Sequence, residues 1–174
     1  MAAGRDNLMF GPIARLRDLL SRTETLQSLV GATGDAAERQ AAAAASVYYP
    51  AIHASDVADA RPFVLIMGAA ETRGEAVGLD TFQPGGQIVF GLEVDVPESL
   101  QANNTAAFAA AQRWFDELLG DLVADLLGAA VGGDDLMLSG YRVPEAPQRS
   151  DPTQQTDEGD FFRAFIEIDW GVES

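Results

Sequence analysis

The chain is predicted to be an α+β domain, a mainly antiparallel sheet packed against two helices. Three observations carry that expectation. Apolar residues recur at three- and four-residue spacing in two long segments, which is the helical period. Strict alternation marks the segments around 88–96 and 162–172, which is the strand period. The elements follow the order helix, strands, long helix, strands, with no regular βαβ succession. The 174 residues, 47% of them hydrophobic, suffice for one core, since single domains hold roughly 100–200 residues. No internal repeat or long linker divides the sequence, so residues 1–174 are read as one domain.

The first helix is placed from Gly11-Pro12, because proline fits a first helical turn without losing a needed donor. Ile13, Leu16, Leu19, Leu20, Leu26, Leu29 and Val30 form its apolar stripe, and Gly31 and Gly34 end it. Asp35 to Ala45 has the alanine content of a further short helix with little bulk to anchor it. Val47-Tyr48-Tyr49 is a short β-type run stopped by Pro50. Phe63 to Met67 is apolar on both faces, as in a central strand covered above and below.

Glu71 to Asp80, with three acids, one arginine and two glycines, is expected to be an exposed loop. Gln83-Pro84-Gly85-Gly86 has turn chemistry. Ile88, Phe90, Leu92, Val94 and Val96 then alternate with Gln87, Val89, Gly91, Glu93 and Asp95, predicting a strand with one buried face. Asn103, Asn104 or Thr105 caps a long helix whose stripe is Phe108, Ala111, Phe115, Leu118, Leu119, Leu122 and Leu126. Leu136 to Val143 reads as a strand, and Pro144 to Gly159 as a long mobile excursion with almost nothing to bury. Phe162, Ala164, Ile166, Ile168, Trp170 and Val172 mark a final amphipathic strand.

Charge restricts the function classes. Eleven cations, all arginine, stand against 27 acids, a net charge of −16. That balance disfavours nucleic-acid binding, which draws its affinity from basic side chains that release counterions. Anionic membrane surfaces are disfavoured for the same reason. With no cysteine there is no disulfide, thiolate nucleophile or Cys-ligated zinc. No run is apolar enough for a spanning helix, and MAAGRDNLMF lacks the apolar region of a signal peptide. A soluble, non-secreted domain is the expectation.

No phosphate-binding loop, dinucleotide fingerprint, H-E-x-x-H, nucleophile elbow or EF-hand loop occurs. His53 is the single histidine, and His53, Asp56 and Asp59 have a spacing that could gather around a metal ion. The competing reading is a solvated loop of ordinary polar residues. Neither a metal nor a cofactor is expected on balance.

Carboxylates say more. Glu93 and Asp95 share one face of their strand, and Glu167 and Asp169 share one face of theirs. They are read either as solvated faces or as an acidic lining past which a polyanion moves without sticking. Glu117, Asp121 and Asp125 repeat along the long helix, where each like-charge pair costs about 0.2–0.5 kcal/mol. Phe108, Phe115 and Trp170 lie on apolar stripes and are read as core. Phe165 breaks a polar face between Arg163 and Glu167, which makes it a candidate subunit contact or a residue covered by another element.

The succession of Leu26-Gln27-Ser28-Leu29-Val30-Gly31, Val47-Tyr48-Tyr49-Pro50, Arg61-Pro62-Phe63-Val64-Leu65-Ile66, Gly86-Gln87-Ile88-Val89-Phe90, a long helix and Phe162-Arg163-Ala164-Phe165-Ile166-Glu167-Ile168 resembles the tail terminator, or tail-completion, proteins of bacteriophages and prophages. The resemblance is one of layout over most of the chain and rests on no diagnostic motif. It implies a tail-terminator-like fold and a non-enzymatic subunit of a homo-oligomeric ring, hexameric in that family. Such a ring caps the tail tube and mates it to the head connector. The implied partners are further copies of the chain, the tail tube protein and the head-tail connector protein, with DNA passing through unbound. The implied location is the virion tail, reached by assembly in the bacterial cytoplasm. Under this reading Phe165, Arg163, Arg73 and Phe82 are candidate contacts, within a final strand and a Glu71–Gln87 hairpin region, and the Pro144–Gly159 excursion is a further contact surface. Glu93, Asp95, Glu167 and Asp169 are candidates for an acidic lumen or surface. A head-closure or connector protein, a metal-binding enzyme using His53, Asp56 and Asp59, and an acidic module that mimics nucleic acid are the alternatives.

Overall fold

The structure, a computed structural model, describes residues 7–49, 61–78, 81–101, 105–130, 137–142, 148–149 and 161–171. It is α+β. Four α-helices occur among these residues, α1 (Asn7–Arg22), α2 (Glu24–Leu29), α3 (Ala36–Ala45) and α4 (Thr105–Ala130). The strands are β1 (Val47–Tyr48), β2 (Phe63–Gly78), β3 (Thr81–Asp95), β4 (Met137–Arg142), β5 (Gln148–Arg149) and β6 (Phe161–Gly171). They run in the order β1-β2-β3-β6-β4, with β5 also on β6, and only the β1–β2 pair is parallel.

Two helices were expected where the described residues hold four. The single helix expected from Gly11 to Val30 begins earlier, at Asn7, places Pro12 inside, and breaks at Thr23. Thr23 is extended and caps α2: its hydroxyl donates to the Leu20 carbonyl at 2.7 Å and accepts from the Leu26 amide. The break has a sequence counterpart, because Ser21-Arg22-Thr23 interrupts the stripe between Leu20 and Leu26. Gly31, at φ 66°, then closes α2. The Ala32 amide bonds to the Gln27 carbonyl and the Gly31 amide to that of Ser28, the paired bonds of a Schellman ending. The alanine segment is helical, and its start is a capping box in which Asp35 and Glu38 each accept from the other's backbone amide.

The largest departure concerns residues 71–86. The described ones, 71–78 and 81–86, are strand and not loop or turn. β2 continues to Gly78 and pairs with β3 down to Gly78 opposite Thr81, with irregularities after Ile66, Ala69 and Ala76. Cross-strand pairing overrides the local turn chemistry. Pro84 is tolerated opposite Gly74 because β6 joins β3 only from Gly85 onward, so the proline stands where β3 has one described neighbour.

One sheet face supplies the core through Val64, Ile66, Ile88, Phe90, Leu92, Val94, Phe162, Ala164, Ile166 and Ile168. Leu16, Leu19 and Leu20 of α1 and Ala111, Phe115, Leu122 and Leu126 of α4 complete it. Phe115 stacks on Phe162 with ring centres 4.8 Å apart. Phe108, expected in the core, is exposed (43%), one turn before the stripe engages at Ala111. The side chain of Trp170 lies outside the described residues. So does most of the Pro144–Gly159 stretch, apart from Gln148 and Arg149, which pair with Arg163 and Phe162. No described helix is long and apolar enough to cross a membrane.

Candidate functional site, the second face of the sheet

The face turned from the core is built by the alternation that made the other face apolar. Register sets its side chains in rows, since residues directly opposite share a face. Asp95 faces Phe161, and the next row holds Phe63, Glu93 and Arg163. Tyr48, Leu65, Gly91 and Phe165 form a third row, Val89 faces Glu167, and Gln87 faces Asp169.

The second row carries the strongest electrostatics. Glu93 is 3% exposed. Its Oε1 accepts from Arg163 Nε at 2.6 Å, and its Oε2 from Arg61 Nε at 3.3 Å. Arg61, with a side chain only 4% exposed, also reaches Asp95 at 3.5 Å. Its guanidinium lies 3.9 Å from the centre of the Phe161 ring, and that of Arg163 lies 5.6 Å from it. Ring faces attract cations, so Phe161 supports both arginines. Phe63, also fully buried, meets Tyr48 edge-on at 6.0 Å between ring centres.

At Glu93 these contacts correct the expectation of a solvated acidic face. Glu93 is buried and doubly paired, so it cannot belong to an acidic lining. The two guanidinium groups offset the desolvation cost of burying this carboxylate. Asp95 remains exposed at the edge of the same cluster. Asp169 accepts from Gln87 Nε2 at 3.0 Å, and Glu167 sits at the register position across from Arg142. At Glu93 and Asp95 the face is ion-paired rather than a row of repelling carboxylates. Both oxygens of Glu93 are occupied, one by Arg163 of β6 and one by Arg61 just before β2, so the residue ties the neighbouring strands together.

Of the candidate contacts, Phe165 is half-buried, and its ring lies across Gly91. Arg163 belongs to the Glu93 cluster. Arg73 faces Gly85 and Phe82 faces Ala76 in the β2–β3 hairpin, 10 residues or more along β2 from the Glu93 row. The structure therefore divides the candidates between the sheet face and the hairpin. His53, Asp56 and Asp59 lie outside the described residues, and among the described residues no group of three potential ligands gathers.

Sequence reasoning missed Arg61, whose partner is 32 residues away. It also missed the role of Asp125, read there only as one of three repeating helix carboxylates. That carboxylate accepts from the amide and the hydroxyl of Thr25, at 2.9 and 2.8 Å, and so fastens α2 to α4. Asp125 thereby differs from Glu117 and Asp121, which are exposed on the same helix.

No protein-family model matches the chain, and comparison with curated proteins finds no match.

Proposed function

We propose that this chain is a structural subunit of the tail terminator type. It works as a homo-oligomeric ring that caps a tail tube and mates it to a head connector, in the virion tail after assembly in the bacterial cytoplasm. DNA passes through such a ring without being bound. The observation that carries the reading is the β2–β3 hairpin. Beyond Leu65 the outer edge of β2 has no described strand beside it, and beyond Gly85 neither has β3. Residues 74–78 and 81–84 thus pair as a two-stranded arm past the sheet with both edges open among the described residues. Unpaired strand edges are templates for another chain. An arm of this kind is what a ring subunit needs to reach its neighbour, and Arg73 and Phe82 lie at its base and along it. The order of elements and the strong negative charge, which keeps a passing polyanion from sticking, support the same reading.

The experiment is electron microscopy of tails assembled with and without this protein. Tails that grow to irregular length in its absence, and regain regular length when it is added, are the expected result. Tubes of regular, capped length without it would remove the assignment.

A further inference from the structure

Charge is distributed unevenly over this fold. Residues 7–45, which hold α1 to α3, carry four arginines (Arg15, Arg17, Arg22, Arg39) and four carboxylates (Asp18, Glu24, Asp35, Glu38). The remaining seven arginines face 23 carboxylates, so the whole net charge of −16 lies elsewhere. Within the neutral corner the acids are largely spoken for. Asp18 pairs with Arg15 and Arg22 and accepts from Gln40, while Asp35 and Glu38 are turned onto amides in the capping box.

A polar cleft of about 550 Å³ opens in this corner, lined by Arg22, Glu24, Gln27, Ser28, Arg39 and Gln40 together with two alanines. Two guanidinium groups and one carboxylate line the cleft, and of the two Arg22 is already paired with Asp18, so Arg39 is the cation the cleft offers beyond that pair. Arg39 is held in place by bonds to Gln27 Oε1 at 3.2 Å and to the Gly34 carbonyl at 2.8 Å. Arg22 is half exposed. A charge fixed in advance costs little further ordering when a partner arrives.

The complementary surface is on α4. Asp116, Glu117 and Asp121 are exposed there and form no salt bridge among the described residues. Glu117 and Asp121 stand four residues apart, one above the other on the helix surface. Two chains of net charge −16 repel each other over most approaches. The neutral corner is where an acidic surface of a second copy meets arginine instead.

We infer that the α1–α3 cleft receives the exposed α4 carboxylates of a second copy of this chain. The inference rests on the ring reading and names the contact within it. Because cleft and carboxylates are different surfaces, the contact is head-to-tail, the kind that repeats around a ring when the rotation closes.

Sedimentation velocity of the full chain tests this. Wild-type protein is expected to self-associate at low ionic strength and to dissociate as salt rises, since exposed charge pairs are screened. The double variant R22E/R39E should associate at least about tenfold more weakly, and so should E117R/D121R, whose substitutions lie on an exposed helix face. An equimolar mixture of the two variants should regain association, because each then offers the charge the other lacks. Circular dichroism confirms that each variant is folded, and if R22E/R39E is not, E117R/D121R and its mixing with wild type decide alone. A wild-type chain that stays monomeric at every concentration, or variants that associate as wild type does, would overturn the inference. In the second case the ring reading stands on a different interface, and tail-length control in electron micrographs judges that reading separately.

Discussion

Phe165 lies across Gly91 so closely that a Cβ on Gly91 would sit 3.1 Å from two atoms of the aromatic ring. The glycine is therefore where the third row of the sheet makes room for an aromatic side chain on a polar strand. Residues 91 and 165 are exact register partners, which brings the ring onto the glycine rather than beside it.

Gly91→Ala should cost up to about 1 kcal/mol in the wild-type background, as the ring is pushed aside against the gain from replacing a strand glycine. In a Phe165→Ala background the same change should stabilise by roughly 0.5–1 kcal/mol, since only the glycine term remains. A double-mutant cycle by urea denaturation measures the difference in sign. Equal effects in both backgrounds would show that the two residues are not coupled.

Glu93→Ala should be far more damaging. It strips Arg61 and Arg163 of their shared carboxylate and leaves a buried guanidinium underpaired, a loss of about 3–5 kcal/mol. Asp95→Asn, at the exposed rim of the same cluster, should cost under about 1 kcal/mol. Denaturant midpoints at unchanged slope report both, and a ranking in the opposite order would mean that the cluster is not the buried pair it is taken to be.

Asp125→Ala removes two hydrogen bonds to Thr25 and should cost about 2 kcal/mol, as bonds to charged acceptors do. The loss should appear locally. Amide exchange in Glu24–Leu29 is expected to accelerate more than exchange in the middle of α4. Uniform acceleration would place the role of Asp125 in the whole core instead.

Phe115→Ala should cost about 3–5 kcal/mol, because it empties the stack against Phe162 at the centre of the core. Phe108→Ala, on the same helix at an exposed position, should stay within about 1 kcal/mol. Thermal melts of the two variants side by side test whether the core begins at Ala111, as the structure has it.

Much of this architecture could be read from periodicity. The alternation of Ile88, Phe90, Leu92 and Val94, and of Phe162, Ala164, Ile166 and Ile168, identified two central strands and their core faces. The stripe from Ala111 to Leu126 identified α4 in the same way. Such patterns survive folding because burial of one face is a local property of the chain. The Thr23 break and the Asp35–Glu38 capping box were also written locally, as a gap in a stripe and an acid three residues before a glutamate.

What the sequence by itself determined, then, is the class of fold, the two faces of the central strands, an overall charge that repels polyanions, and the absence of familiar catalytic motifs. Only the tertiary structure decided what the polar faces do. Glu93 became a buried, doubly paired residue because Arg61 and Arg163 arrive from 32 and 70 residues away, and the turn-like stretch at 83–86 became strand because β2 offered it a partner. The physical reason is the same in both cases. A polar side chain or an open backbone edge has several ways to satisfy its hydrogen bonds, and the choice among them belongs to whatever the fold brings alongside.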